Sequence, residues 1–234
     1  MKGKIHSFLS LGTLDVPGVR FVVFMHGCNL HCGYCHNIDV CKGEYKEFSA
    51  IEVFEKIKNY RDYFGEDGGI TVSGGEPLLQ SEFVFELFEL CKKDGINTAL
   101  DTSGSIFDEN TKKLLSLTDL VLLDLKMTNN EDYKKHIGCE IYKPLEVLEF
   151  AEENKKKVWI RHVVVEGLND KKKSISRLKE ICSEYSCIEK IELLPFKKLC
   201  KTKYDSMGLV FPFDKYNETP QKTIDDLYKI INED

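Results

Sequence analysis

VRFVVFMHGCNLHCGYCHN, residues 19–37, opens on an almost wholly apolar run and closes on three cysteines. Apolar, β-branched and aromatic residues without polar alternation suit a strand covered on both faces, as in parallel sheets. The strand leads directly into a loop with Cys28, Cys32 and Cys35 at CxxxCxxC spacing, then His36, with Cys41 five residues beyond it. Reactive groups are thereby placed at one edge of a sheet.

The pattern recurs along the chain. GITVS (69–73), NTALDT (97–102), LVLLDLK (120–126), VWIRHVVV (158–165) and KIELLPF (190–196) read as further strands. Between and after them, helical periodicity covers 49–64, 82–95, 110–117, 143–157, 173–185 and 223–233. Ser49 with Glu52 three residues on is a capping-box signal, and Gly95 after two lysines marks a helix C-terminus. Alternating strand and helix imply an α/β domain with a parallel sheet and right-handed crossovers. Six strands are too few to close an eight-stranded barrel, so a partial (β/α)6 barrel is expected, with a doubly wound sheet as the competing architecture. No linker interrupts residues 1–234, which are expected to form one domain.

Composition narrows the function. The 42% apolar and 31% charged residues are those of an ordinary globular chain rather than a disordered one. A net charge of −6 argues against nucleic-acid binding by bulk charge, and the lysine runs 155–157 and 171–173 read as solvated loop faces. Neither an apolar leader nor a stretch long enough to span a membrane is present, so a cytoplasmic location with no membrane or nucleic-acid partner is expected. In that reducing setting a tight thiol cluster points to metal or catalysis, while Cys91, Cys139, Cys182, Cys187 and Cys200 read as small buried apolar residues. Cys41 gets the same reading, although it stands closer to the cluster.

Polar or glycine-rich elements gather at the C-terminal ends of the strands: the cysteine loop, SGGEP (73–77), DTSG (101–104), DLK (124–126) and PFKK (195–198). In parallel α/β folds that edge carries the site. Arg161, inside an otherwise apolar strand, needs an anion or a buried acceptor.

Three metal sites fit the cysteines. Cys32, Cys35 and His36 match the CxxCH of c-type haem attachment, which belongs with export. Cys28, Cys32, Cys35 and His36 form a Cys3His set for structural zinc, strained because Cys35 and His36 are adjacent. A four-iron cluster held by three thiolates keeps one iron open, unless Cys41 fills it.

With its aromatic Tyr34 before the last cysteine, this loop resembles the signature of the radical S-adenosylmethionine (SAM) superfamily. DVPGVRFVVFMHGCNLHCGYCHN (15–37) is similar to the N-terminal signature of the glycyl-radical-enzyme activating enzymes. ITVSGGEPLLQ, CKKDGINTALDTSG, TDLVLLDLK, KVWIRHVVVEGLND and KIELLPFKKLCKTKY follow in that family's order. The resemblance implies a radical SAM partial barrel with one [4Fe–4S] cluster on Cys28, Cys32 and Cys35, its open iron binding SAM. One electron then cleaves SAM to methionine and a 5′-deoxyadenosyl radical, which takes a hydrogen from a glycine of a partner enzyme.

It also implies roles. Tyr34, Cys35 and His36 would contact the adenine, and Gly74, Gly75 and Glu76 the methionine amino group. Asp124, Leu125, Lys126 and Arg161 would line the SAM pocket, Asp101 and Thr102 would bind a monovalent cation, and Asp15 would meet the partner's glycine loop. The implied partner is a pyruvate formate-lyase-like glycyl radical enzyme, the electron donor flavodoxin or ferredoxin, and the activase a monomer working anaerobically. Two positions depart from the pattern: Val16 interrupts the usual DGPG, and Lys197 stands where a histidine usually touches SAM. The chain lacks the cysteine-rich ferredoxin-like insert of several such activases, which favours a single cluster. The alternatives are a radical SAM enzyme for anaerobic ribonucleotide reductase or a small molecule, and a non-catalytic zinc-binding module.

Overall fold

The computed structural model of the protein describes residues 1–13 and 16–232. In chain order the elements are β1 (Lys2–Gly12), β2 (Arg20–Met25), α1 (Ile38–Lys42), β3 (Lys46–Ser49), α2 (Ala50–Lys58), β4 (Gly69–Gly74), α3 (Ser81–Lys93) and β5 (Asn97–Thr102). They continue with α4 (Glu109–Ser116), β6 (Leu120–Asp124), α5 (Asn130–His136), α6 (Tyr142–Glu153), β7 (Lys157–Val164), α7 (Lys172–Ser183), β8 (Ile188–Pro195), α8 (Lys201–Ser206) and α9 (Gln221–Asn232).

The sheet order is β3-β1-β2-β4-β5-β6-β7-β8. From β2 to β8 every neighbouring pair is parallel. β1 and β3 extend the β2 side with antiparallel pairing. A doubly wound sheet reverses its strand order at a switch point; here each crossover steps one strand in the same direction. With right-handed crossovers, helices collect on one face and the other curls inward. The result is an open barrel with β3 and β8 at its edges, as the six apolar runs predicted.

Sequence reading missed β1 and β3. Lysines, glycines and serines interrupt the apolar run of β1, many of its residues are at least partly exposed, and its register with β2 shifts twice. The helix signals held where the caps were explicit. Ser49 Oγ accepts from Glu52 N at 3.3 Å, while Ser49 N donates to Glu52 Oε2 at 2.7 Å, completing the capping box of α2. Gly95, with φ of +72°, follows α3 in the left-handed region that glycine tolerates.

Alternation divides each parallel strand between the barrel interior and the helix-covered face. Towards the N-terminal half, Val16, Ala99, Leu120 and Leu122 pack with Trp159 as a small core of their own. Arg20 secures this end: its guanidinium donates to the carbonyls of Pro17, Asp67 and Ile70 and to Asn97 Oδ1. The departure at Val16 is thus a packing residue, buried in the barrel. Val16→Gly should lose about 2 kcal/mol through removed apolar contact. For a chain of this size thermal unfolding should occur about 4–8 °C lower. Asp15, expected to meet the partner's glycine loop, lies outside the described residues.

Candidate active site

The loop after β2 is clamped on both sides. Gly27 N donates to Val40 O at 3.3 Å, tying the loop to α1, while His31 N donates to Ile137 O at 2.8 Å and Gly33 N to His136 O at 3.0 Å, tying it to the end of α5. A Cβ on Gly33 would come within 2.0 Å of the Phe213 ring, so only glycine lets the C-terminal segment close over this loop. Buried Tyr34 packs edge-on against the same ring at 5.6 Å.

The thiols of Cys28, Cys32 and Cys35 face a cavity of about 350 Å3 at the C-terminal end of the barrel. Cys41, carried round by the single turn of α1, lines it as well. The remaining walls come from the ends of β4 to β7: Ser73, Gly74 and Gly75; Asp101, Thr102 and Ser103; Asp124 with Lys126; and Arg161. Leu30, Val163, Leu194 and Pro195 supply apolar lining, and Tyr34, His36 and Asn37 complete it.

At the end of β4 two glycines allow close backbone contact. Gly74 has φ of +120°, and a Cβ on Gly75 would lie 1.9 Å from Gly27 O. Gly75 N donates to Met25 O at 2.9 Å and Glu76 N to Gly27 O at 2.8 Å, joining SGGEP to the start of the cysteine loop.

The acids and bases of the cavity interlock. Arg161 reaches Asp101 and Asp124, each at 3.4 Å, and Lys126 Nζ lies 2.8 Å from Asp124. Ser73 Oγ donates to Asp101 Oδ2 at 2.6 Å. Burial pushes the Asp101 carboxyl above its ordinary range, only partly opposed by Arg161. For Asp124 burial acts the same way, but the Lys126 and Arg161 charges outweigh it and hold the carboxyl below its ordinary range. The surface therefore offers both signs of charge, as a zwitterionic ligand requires.

Three residues expected at the cofactor stand outside the cavity lining. The Glu76 carboxylate is fully buried, accepting from Leu78 N at 3.1 Å, Thr102 Oγ1 at 2.5 Å, Ser103 N at 2.9 Å and the Ser103 hydroxyl. It joins the ends of β4 and β5. Leu125 points into the core, and its carbonyl accepts from His162 Nδ1 at 2.6 Å. The Lys197 ammonium turns out to Glu218 at 3.6 Å. Its carbonyl accepts from His36 Nε2 at 2.9 Å, which commits His36 away from the thiols and weakens the Cys3His zinc reading. The Thr102 hydroxyl, expected at a cation, donates to Glu76.

Some contributors were missed. Ser73 and Ser103 are uncharged and sit inside motifs read for their glycines and acids. Asn37, whose Nδ2 donates to Gly74 O at 3.3 Å, bridges the cysteine loop and β4.

Residues 22–178 match the Radical SAM superfamily. The chain is 40% identical over 235 residues to the pyruvate formate-lyase 1-activating enzyme of Escherichia coli strain K12, covering 99% of this chain and 96% of that one. This chain belongs to the radical SAM superfamily, among the pyruvate formate-lyase activating enzymes. The Clostridium pasteurianum pyruvate formate-lyase-activating enzyme is 43% identical over 209 residues, covering 88% of this chain and 87% of its own. The crystal structure of a domain of pyruvate-formate lyase-activating enzyme from Bacteroides vulgatus ATCC 8482 superposes with a TM-score of 0.58 at 25% identity, over 70% of this chain and 92% of that one. Radical SAM membership implies a four-iron cluster and SAM. Thiols on one wall facing glycine backbone and paired charges on the others fit both.

Proposed function

We propose that this radical SAM chain activates a glycyl radical enzyme of the pyruvate formate-lyase type. The observation that carries the reading is the convergence of Cys28, Cys32 and Cys35 with Gly74, Asp124, Lys126 and Arg161 on one cavity. Cys28, Cys32 and Cys35 hold the cluster. Gly74 and Gly75 offer backbone to the methionine end of SAM, while Tyr34 and His36 border its adenine. When bound, cluster and SAM supply one-electron bond cleavage and the hydrogen-abstracting radical.

The chain's own groups bind, orient and exclude water. Arg161 and Lys126 are the cations available to a carboxylate, and Asp101 and Asp124 the anions available to an ammonium. The apolar residues Leu30, Val163, Leu194 and Pro195 limit water around a reactive species. Glu76, through Thr102 and Ser103, fixes the two strand ends that carry these groups. The proposal includes a monovalent cation at Asp101 and Thr102, flavodoxin or ferredoxin as electron donor, and a monomeric activase in the cytoplasm. Among the described residues no helix is long and apolar enough to cross a membrane.

The test is 5′-deoxyadenosine production by anaerobically reconstituted protein with SAM and a strong reductant. Stoichiometric formation of a glycyl radical is expected when inactive pyruvate formate-lyase is added. Iron-loaded protein that made no 5′-deoxyadenosine even with that partner would refute the reading.

A further inference from the structure

Lys126 reaches the cavity from backbone that lies beyond the strand ladder. The β6–β7 pairing ends with Asp124 opposite Arg161, so the peptides that carry Leu125 and Lys126 need other partners. Buried side chains supply them. Tyr133 Oη accepts from Lys126 N at 3.0 Å and donates to Asp124 O at 3.5 Å, and Tyr34 Oη donates to Lys126 O at 3.5 Å. The shortest of these contacts falls between the two charged residues, where His162 Nδ1 donates to Leu125 O at 2.6 Å.

His162 is fully buried on β7, between Arg161 and Val163, which both line the cavity. Its neighbours fix its tautomer. A carbonyl oxygen only accepts, so Nδ1 carries the hydrogen. Nε2 faces Asn169 Nδ2 at 3.1 Å. The orientation of Asn169 is itself set, because its Oδ1 accepts from Val165 N at 2.7 Å and its Nδ2 donates to Val163 O at 2.9 Å. An amide NH2 only donates, so Nε2 is the bare nitrogen and the ring is neutral. Burial acts in the same direction by pushing the imidazole pKa below its ordinary value.

We propose that His162 is a positioning residue for SAM binding, whose Nδ1–H, oriented by Asn169, holds the Leu125 carbonyl so that Asp124 and Lys126 both face the cavity. Neighbouring side chains on extended backbone point to opposite sides. Leu125 faces the core, so the residues on either side of it face the cavity only while its peptide keeps its plane. Without the imidazole donor the Leu125–Lys126 peptide is free to rotate, and it carries the Lys126 ammonium away from the ligand and from Asp124, which it meets at 2.8 Å. The proposal rests on the reading that Lys126 serves the carboxylate of SAM, and the experiment separates the two claims.

The test is anaerobic calorimetric titration of SAM into cluster-loaded protein, beside iron analysis and a thermal melt, for wild type, His162→Leu and His162→Asn. The asparagine amide places its Nδ2 where the imidazole Nδ1 stood and so keeps the donor to Leu125, while leucine fills the site without one. Both variants should melt below wild type, since each disturbs a fully buried position. Iron should stay at about four per chain in both, because the cluster cysteines lie on another loop. Affinity for SAM should then separate them. His162→Leu should bind about ten- to thirtyfold more weakly, the worth of one misdirected charge-assisted contact, and His162→Asn should stay within about threefold of wild type. Unchanged SAM affinity in His162→Leu would overturn the proposal, as would an asparagine variant as weak as leucine, which would make the effect one of general stability. Iron loss in His162→Leu would overturn it too, by making His162 a scaffold for the whole site. Iron-loaded wild type that took up no SAM would instead defeat the reading on which the proposal rests.

Discussion

Cys32→Ala should abolish cluster binding and turnover while leaving the fold in place. Cys32 lies at the centre of the loop, between His31 and Gly33, both of which hydrogen-bond through backbone to the end of α5. Those bonds do not involve its side chain, so the loop keeps its path when the sulfur is removed. The thiol faces the cavity, and burial pushes its pKa up to about 12 against the opposing charge of Lys126. Removing it should cost about 1 kcal/mol of stability or less. Iron after anaerobic reconstitution should drop from about four per chain to below one, since two thiolates cannot hold a cube that keeps one iron open. Production of 5′-deoxyadenosine should fall at least about a thousandfold, to background. Iron analysis beside a thermal melt checks both halves.

Arg161→Met should produce the largest loss among the cavity's charged residues. Arg161 joins Asp101 to Asp124; without it, Lys126 still pairs with Asp124, while Asp101 keeps the Ser73 hydroxyl. Breaking a buried pair costs about 3–5 kcal/mol when a charge is left without its partner. The retained Lys126 and the partial exposure of the site reduce this to about 2–3 kcal/mol.

The pH dependence has a definite sign. The folded Asp101 carboxyl already has a raised pKa, so its folded form binds more protons than the unfolded one, and stability falls as pH rises through that range. Asp124, with a lowered pKa, contributes stability above its unfolded value that disappears on acidification. Once protonated, neither acid needs the guanidinium. The deficit of Arg161→Met should therefore be greatest near neutral pH and shrink as pH falls through the carboxyl titration range. Denaturant unfolding across that range is the check. Affinity for SAM should weaken about 10–100-fold, the worth of one or two charge-assisted contacts.

The parallel core was legible because buried strands need unbroken apolar runs, and the six runs from residue 19 to residue 196 are all strands. β1 and β3 were not, because β3 is a short edge strand and β1, flanked by it only over Lys2–Ile5, keeps exposed positions that tolerate Lys, Ser and Gly and look like loop. Strand-end motifs located the site, but not the direction of each side chain. Period-two alternation would have separated some of them: Asp124 and Lys126 share the inward face, while Leu125 between them faces the core. Arg161 and Val163 likewise line the cavity, with His162 buried behind them. For Glu76 and Lys197 no local pattern helps. Glu76 is drawn to hydroxyl and amide donors on β5's loop, and Lys197 to Glu218, both distant in sequence. Nothing in the spacing of Cys41 shows that α1 brings it to the cavity wall, where it is half-buried rather than a core residue.

The most direct measurement is EPR on the target itself. Reduced, cluster-loaded protein and SAM are mixed anaerobically with inactive pyruvate formate-lyase, and the spectrum is recorded as the enzyme gains activity. A doublet from a single glycine-centred radical, rising in step with lyase activity and 5′-deoxyadenosine, is the predicted result. Production of 5′-deoxyadenosine with no radical on the partner, under conditions where an established activase generates one, would contradict the account.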